Sequence, residues 1–133
     1  MYHITTATKN RRSFFANFHV GRHVVHALHH EATHNRIHTL AFVVMPDHLH
    51  WLLQLTESRS LAGTVNNVKS ISARMINNFL GRSGPVWQKG YYDRALRSDE
   101  DMVSVARYII ANPVRSGIVA RVGDYALWDS GWV

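Results

Sequence analysis

The residue types best suited to chemistry in this chain are two histidines, a tyrosine and an asparagine, held in two short stretches. His48 and His50 flank Leu49. In a strand, residues two apart share a face, so the two imidazoles could jointly hold one divalent ion. With ten histidines in 133 residues such a pair is expected by chance, so its context has to carry the weight. Met45-Pro46-Asp47 just before it has the chemistry of a tight turn. Leu49 and Trp51 would then alternate into a core while the histidines face outward.

A second constellation lies near the end of the chain. At steps of three and four, Met102, Val105, Ala106, Ile109 and Ile110 make an apolar helical stripe, with Asp101, Ser104, Tyr108, Asn112 and Arg115 on the other side. A tyrosine on a polar helix face more often packs at a surface than acts as a nucleophile. Asn112, one turn on, has an amide oxygen able to ligate a hard cation, and Pro113 ends or kinks the helix. Joined, the two constellations describe one reaction. Two imidazoles and an amide hold a divalent ion, Tyr108 attacks a phosphodiester in line, the 3′-hydroxyl leaves, and the 5′ end stays on the protein as a phosphotyrosine. Reversal rejoins the strand. Positive charge from Arg107, Arg115 or the ion would help the phenol ionise, and no carboxylate base is required.

The elements that must position these residues follow from pattern. Tyr2 to Thr8 predicts a strand, Ala16 to Thr33 a helix, and Ile37 to Met45 with Leu49 to Leu55 a hairpin closed by Pro46-Asp47. After Glu57-Ser58-Arg59-Ser60, the apolar spacing from Leu61 to Leu80 predicts a helix ended by Gly81. Val86 to Leu96 reads as a strand, and Ser98 with Asp101 as a capping box opening the last helix. Strand, helix, strand, strand, helix, strand, helix predicts an α+β fold, with a ferredoxin-like antiparallel sheet packed with helices, in one domain over 1–133.

Composition narrows the partner. Fifteen Lys plus Arg against nine Asp plus Glu, a net +6, favour a polyanion. Arg11, Arg12, Lys69, Arg74, Lys89 and Arg115 are the candidate phosphate contacts, with Arg94 and Arg97 nearby. Trp87, Tyr91 and Tyr92 interleave with them and could stack on unpaired bases. The absence of cysteine excludes thiolate metal sites, disulfides and a cysteine nucleophile. No signal-like or membrane-spanning apolar run is present, so a cytoplasmic chain with no membrane partner and no organic cofactor is expected. His26, His30 and His34, at successive steps of four on the first helix, form a competing metal site; the preferred interpretation is solvated histidines, because no acidic or cysteine-rich shell surrounds them.

Tyr2-His3-Ile4-Thr5 with Asn10-Arg11-Arg12, Met45-Pro46-Asp47-His48-Leu49-His50, Trp87-Gln88-Lys89-Gly90-Tyr91-Tyr92-Asp93 and Arg107-Tyr108-Ile109-Ile110-Ala111-Asn112-Pro113-Val114-Arg115 stand in a telling order. Through them the chain resembles, over nearly its whole length, the HUH single-tyrosine transposases, and among these the REP-associated tyrosine transposases of bacteria. The resemblance implies a fold of HUH endonuclease type, metal binding by His48 and His50 completed by Asn112, and a covalent link through Tyr108. It implies Mg2+ or Mn2+ as cofactor. The implied substrate is single-stranded DNA carrying imperfect palindromic hairpins, cut and rejoined beside them by a monomer or weak homodimer. Some relatives carry a further C-terminal tail, and regulation by one is not expected here. Two other interpretations remain: a catalytically silent hairpin DNA- or RNA-binding module, and a histidine-rich metal-binding protein.

Overall fold

The computed structural model describes residues 1–34, 37–56, 60–97 and 99–130. Along the chain run β1 (Tyr2–Ala7), α1 (Phe18–His34), β2 (His38–Met45), β3 (His48–Gln54), α2 (Leu61–Leu80), β4 (Tyr92–Ala95), α3 (Asp99–Ile110), α4 (Asn112–Arg115) and β5 (Trp128–Ser130). The strands form one antiparallel sheet in the order β4-β1-β3-β2-β5. Its first four strands have the ferredoxin-like arrangement that the element order predicts. The fifth, β5, was not anticipated: three residues are too few to show an alternating pattern, and it is recruited by the open edge of β2, where Val43 pairs with Trp128.

Strand alternation divides the side chains between two layers. On one face Ile4, Phe42, Val44, Leu49, Trp51 and Leu53 are buried with Val20, Val24 and Leu28 of α1 and Val65, Val68 and Ile76 of α2. On the other, Ala41, Val43, Met45 and Leu52 are buried with Val105, Ala106 and Ile109 of α3. Leu49 and Trp51 thus enter the core as expected. His48 and His50 take the opposite face, but that face is itself covered in part by α3, so they are partly buried rather than simply outward.

Local chemistry explains where the elements differ from expectation. α1 starts at Phe18 instead of Ala16 because the Asn17 side chain accepts from the N–H groups of His19 (2.9 Å) and Val20 (3.3 Å) as a cap, while 14–16 close a 3₁₀ turn. α2 opens on Ser60, whose hydroxyl accepts from the Gly63 N–H, and closes at Gly81 in the left-handed conformation, φ 62°. Of the expected strand from Val86 to Leu96 only 92–95 form. Gly90 turns the chain at φ 79°, and Trp87 leaves the sheet for the core after one bridge to Thr8. The last helix breaks at Ala111, ahead of Asn112, with Pro113 in the first turn of α4, where its missing N–H costs nothing. Glu57, Ser58 and Arg59 of the expected turn, and Ser98 of the expected capping box, lie outside the described residues.

Candidate active site

The histidine pair sits on the central strand β3, next to the hairpin turn. Met45 pairs with His48 across that turn, so Pro46 and Asp47 form a two-residue connection, as their chemistry predicts. The two rings lie 4.9 Å apart, nearly perpendicular. His48 Nδ1–H donates to Asp47 Oδ1 at 2.7 Å. His50 Nδ1 lies 3.1 Å from His3 Nε2 and 3.2 Å from Thr5 Oγ1, both on β1, where Thr5 is the direct partner of His50. Each Nδ1 therefore has a partner, and among the described residues neither Nε2 does. Burial, followed by the charges of His48, His3 and Arg115, pushes His50 down to about 3, so its imidazole is neutral and ready to ligate without first losing a proton. Burial alone would raise Asp47, but the hydrogen bond from His48 and the charges of His48 and Arg11 together hold its carboxyl below the usual carboxylate range.

Tyr108 comes from α3, which the buried stripe Val105, Ala106 and Ile109 lays across the sheet. Its ring centroid is 6.2 Å from that of His50, with the planes at 88°. The residue is 52% exposed, so a substrate can reach it. Arg115 folds back from α4: its guanidinium stacks 3.7 Å from the Tyr108 ring centroid and donates to the Tyr108 carbonyl at 2.7 Å. Beside the ring opens a cleft lined by His3, Arg94, Asp101, Ser104 and Val105. Asn112 begins a separate helix after the break at Ala111, is 8% exposed, and its amide oxygen accepts from the Ser116 hydroxyl at 3.3 Å, so it is buried where Tyr108 is open to solvent.

The basic residues fall into two groups. Arg12, Arg74, Lys89 and Arg115 are exposed. Lys69 is not a free surface cation: its ammonium donates to the carbonyls of Gln88 and Gly90, both at 2.8 Å, and burial lowers its pKa. Arg11 is likewise engaged, its Nε 3.0 Å from Asp47 Oδ2. Of the aromatics, Trp87 is in the core with its indole N–H on Ser72, Tyr91 packs partly against the core, and Tyr92 is 78% exposed on the edge strand β4. On α1, His30 and His34 stack, and His34 Nδ1 lies 3.0 Å from the His30 carbonyl oxygen. Among the described residues no three His, Asp or Glu side chains converge as a metal site. If His48 and His50 hold a metal ion, a third ligand from the described residues would thus be an amide or a backbone oxygen, with water or substrate as the other donors. His3, Thr5 and Asp47 are the residues of the site that spacing did not bring out. His3 and Thr5 share the face of His50 only through the β1–β3 register, and Asp47 was legible merely as a turn residue.

Comparison with known proteins gives a consistent result. Residues 1–112 match the family model described as "Transposase IS200 like". A provisionally named REP-associated tyrosine transposase of Haemophilus influenzae is 29% identical over 102 residues, covering 69% of this chain and 58% of the relative. The REP-associated tyrosine transposase of Escherichia coli is 29% identical over 87 residues, covering 64% and 49%. The chain therefore spans little more than half the length of these relatives. A solved structure of a REP-associated tyrosine transposase bound to a REP hairpin has the same fold, with a TM-score of 0.78 at 24% identity, covering 96% of this chain and 74% of that one. A provisionally named transposase of Deinococcus radiodurans matches with a TM-score of 0.62 at 27% identity, covering 81% of this chain and 86% of its own. No helix among the described residues is long and apolar enough to cross a membrane.

Proposed function

The chain belongs to the IS200-like transposase family, and on that premise we propose that it is a metal-dependent single-stranded DNA endonuclease and strand transferase, which nicks and rejoins DNA beside palindromic hairpins through Tyr108. The observation that carries this reading is the packing of Tyr108 of α3 against His50 of β3, 6.2 Å between rings, within one chain. A nucleophile and a candidate metal-binding pair, far apart in sequence, meet at one accessible place. Because a single copy brings them together, a monomer or weak homodimer suffices.

In the cleavage step the Tyr108 phenol oxygen bonds to phosphorus and the bond to the 3′ oxygen breaks. The phenol proton is released and the departing 3′ oxygen gains one. The 5′ phosphate remains on Tyr108, and attack by a new 3′-hydroxyl reverses the exchange. Arg115 restrains Tyr108 from both the ring face and the backbone, so the phenol oxygen is presented with little rotamer freedom to lose. The donor set suits a divalent cation: two imidazoles whose Nε2 atoms have no partner among the described residues, and an amide oxygen with a second lone pair, from His48, His50 and Asn112. Bound Mg2+ or Mn2+ would act there as a Lewis acid on a phosphodiester oxygen. Hairpin DNA as the substrate accords with the net +6 charge and with the exposed Arg12, Arg74 and Lys89. Tyr92 offers an exposed ring for an unpaired base.

The test is incubation with end-labelled hairpin oligonucleotides, with and without Mn2+, followed by denaturing electrophoresis. The expected product is a Mn2+-dependent, denaturant-resistant adduct on the 5′ end of the downstream fragment. Tyr108→Phe should lose it while still binding DNA, and His48→Ala should lose the Mn2+-dependent adduct. DNA that is retarded but never cut by the native protein would point to a silent binding module instead.

A further inference from the structure

Three features of the first loop and the hairpin turn converge on His48. The Asp47 carboxylate bridges two partners, one oxygen to each: Oδ1 takes the His48 Nδ1–H at 2.7 Å, and Oδ2 takes the Arg11 Nε–H at 3.0 Å. The main chain of Asp47 is clamped independently, since its carbonyl accepts from both the N–H (3.0 Å) and the hydroxyl (3.2 Å) of Thr8, and the Pro46 carbonyl accepts from the Phe15 N–H at 2.9 Å. Finally, Asn10 and Arg11 both occupy the left-handed region, at φ 56° and 54°. For a residue with a side chain that conformation costs about 1–2 kcal/mol, and it persists where surrounding contacts over-determine it. An arginine that only reaches for phosphate needs no such backbone, because its long side chain finds a phosphate from almost any conformation.

We propose that Arg11 and Asp47 are positioning residues for His48: together they fix its tautomer and ring orientation, and Arg11 is therefore not a phosphate contact. The proposal rests on the assignment of His48 as a metal ligand. An imidazole ligates through its unprotonated nitrogen. With Nδ1–H held by Asp47, the lone pair that can ligate lies on Nε2, and the carboxylate makes that nitrogen a better donor. Without an acceptor at Nδ1, both tautomers are populated and the ring is free to turn. By holding Oδ2, Arg11 keeps Oδ1 aimed at His48 Nδ1. His50 is held differently, by the neutral groups His3 and Thr5, so removal of charge from the outer shell should be felt at His48 alone.

Three measurements test this on the whole chain: the His48 tautomer from long-range 1H–15N spectra of the metal-free protein, Mn2+ affinity from electron paramagnetic resonance, and affinity for a hairpin oligonucleotide across a salt series. The native protein should show the Nδ1-protonated tautomer. Asp47→Ala should mix the tautomers and weaken Mn2+ binding about 10–100-fold, whereas Asp47→Asn keeps an acceptor at the same place and should restore both in large part. Arg11→Ala should weaken Mn2+ binding severalfold with an unchanged salt dependence of DNA binding. The proposal is overturned if Asp47→Ala leaves tautomer and Mn2+ affinity as they were. It is equally overturned if Arg11→Ala spares Mn2+ binding, or lowers the slope of log affinity against log salt by about one, as loss of a phosphate contact does. Should Asp47→Ala not fold, Arg11→Ala at its exposed position decides alone. If the native protein forms no DNA adduct, the proposed function fails, while the tautomer and Mn2+ results still decide the role of Arg11 and Asp47.

Discussion

The packing of α3 on the sheet should matter to catalysis beyond its contribution to stability, and a matched pair of truncations separates the two. Ile109 on α3 and Ile76 on α2 are both fully buried, on opposite faces of the sheet. Ile→Ala removes three carbons; at about 0.8 kcal/mol per buried methylene the transfer loss is roughly 2.4 kcal/mol. An incompletely collapsed cavity adds about 1–2 kcal/mol. Each variant should therefore lose about 3.4–4.4 kcal/mol, a large part of the roughly 5–15 kcal/mol of an ordinary domain. Urea unfolding followed by circular dichroism measures this as a lowered midpoint at constant slope. Adduct formation on hairpin DNA is then compared under conditions where both variants are folded. Ile109 adjoins Tyr108 and packs among Ala41, Val43, Met45 and Leu52, so its loss loosens the helix that carries Tyr108, the proposed nucleophile. Misplacement of a reacting group by about 1 Å can cost on the order of 10²-fold in rate, and Ile109→Ala should fall towards that figure while Ile76→Ala keeps the native rate. Equal rates in the two variants would refute the idea that α3 packing positions Tyr108.

Further outcomes follow from Lys69, Lys89 and Tyr125. Lys69→Met removes two ammonium hydrogen bonds to backbone carbonyls and should cost about 1–3 kcal/mol of stability, with the salt slope of DNA binding unchanged. Lys89→Ala, at an exposed position, should instead leave stability within about 0.5 kcal/mol and reduce that slope by about one. Burial raises the Tyr125 phenol from 10.0 to about 12, where its hydroxyl donates to the Val44 carbonyl. Since the folded value exceeds the unfolded one, the stability linked to this proton is complete below about pH 10 and is lost as pH rises through about 12. Spectrophotometric titration should show one late-ionising tyrosine that disappears in Tyr125→Phe; a late component surviving in the variant would contradict this.

What the sequence by itself determined was everything encoded in short-range pattern. The 3.6-residue spacing from Leu61 to Leu80 and the glycine after it bounded α2, and Pro46-Asp47 between two apolar runs defined the hairpin, because these signals act within a few residues. Period-two alternation likewise put His48 and His50 on one side of a strand and Leu49 and Trp51 on the other. Only the tertiary structure decided the rest. Whether the histidine face was open or covered depended on α3 crossing the sheet, and His3 and Thr5 joined His50 through the β1–β3 register, which no local signal reveals. β5 exists because the edge of β2 accepts it. Lys69 and Arg11 look identical to phosphate-binding cations in sequence, yet the first pins the loop 88–90 and the second pairs with Asp47. A charge's partner is set by the fold around it, and that partner lies far beyond the reach of any local sequence pattern.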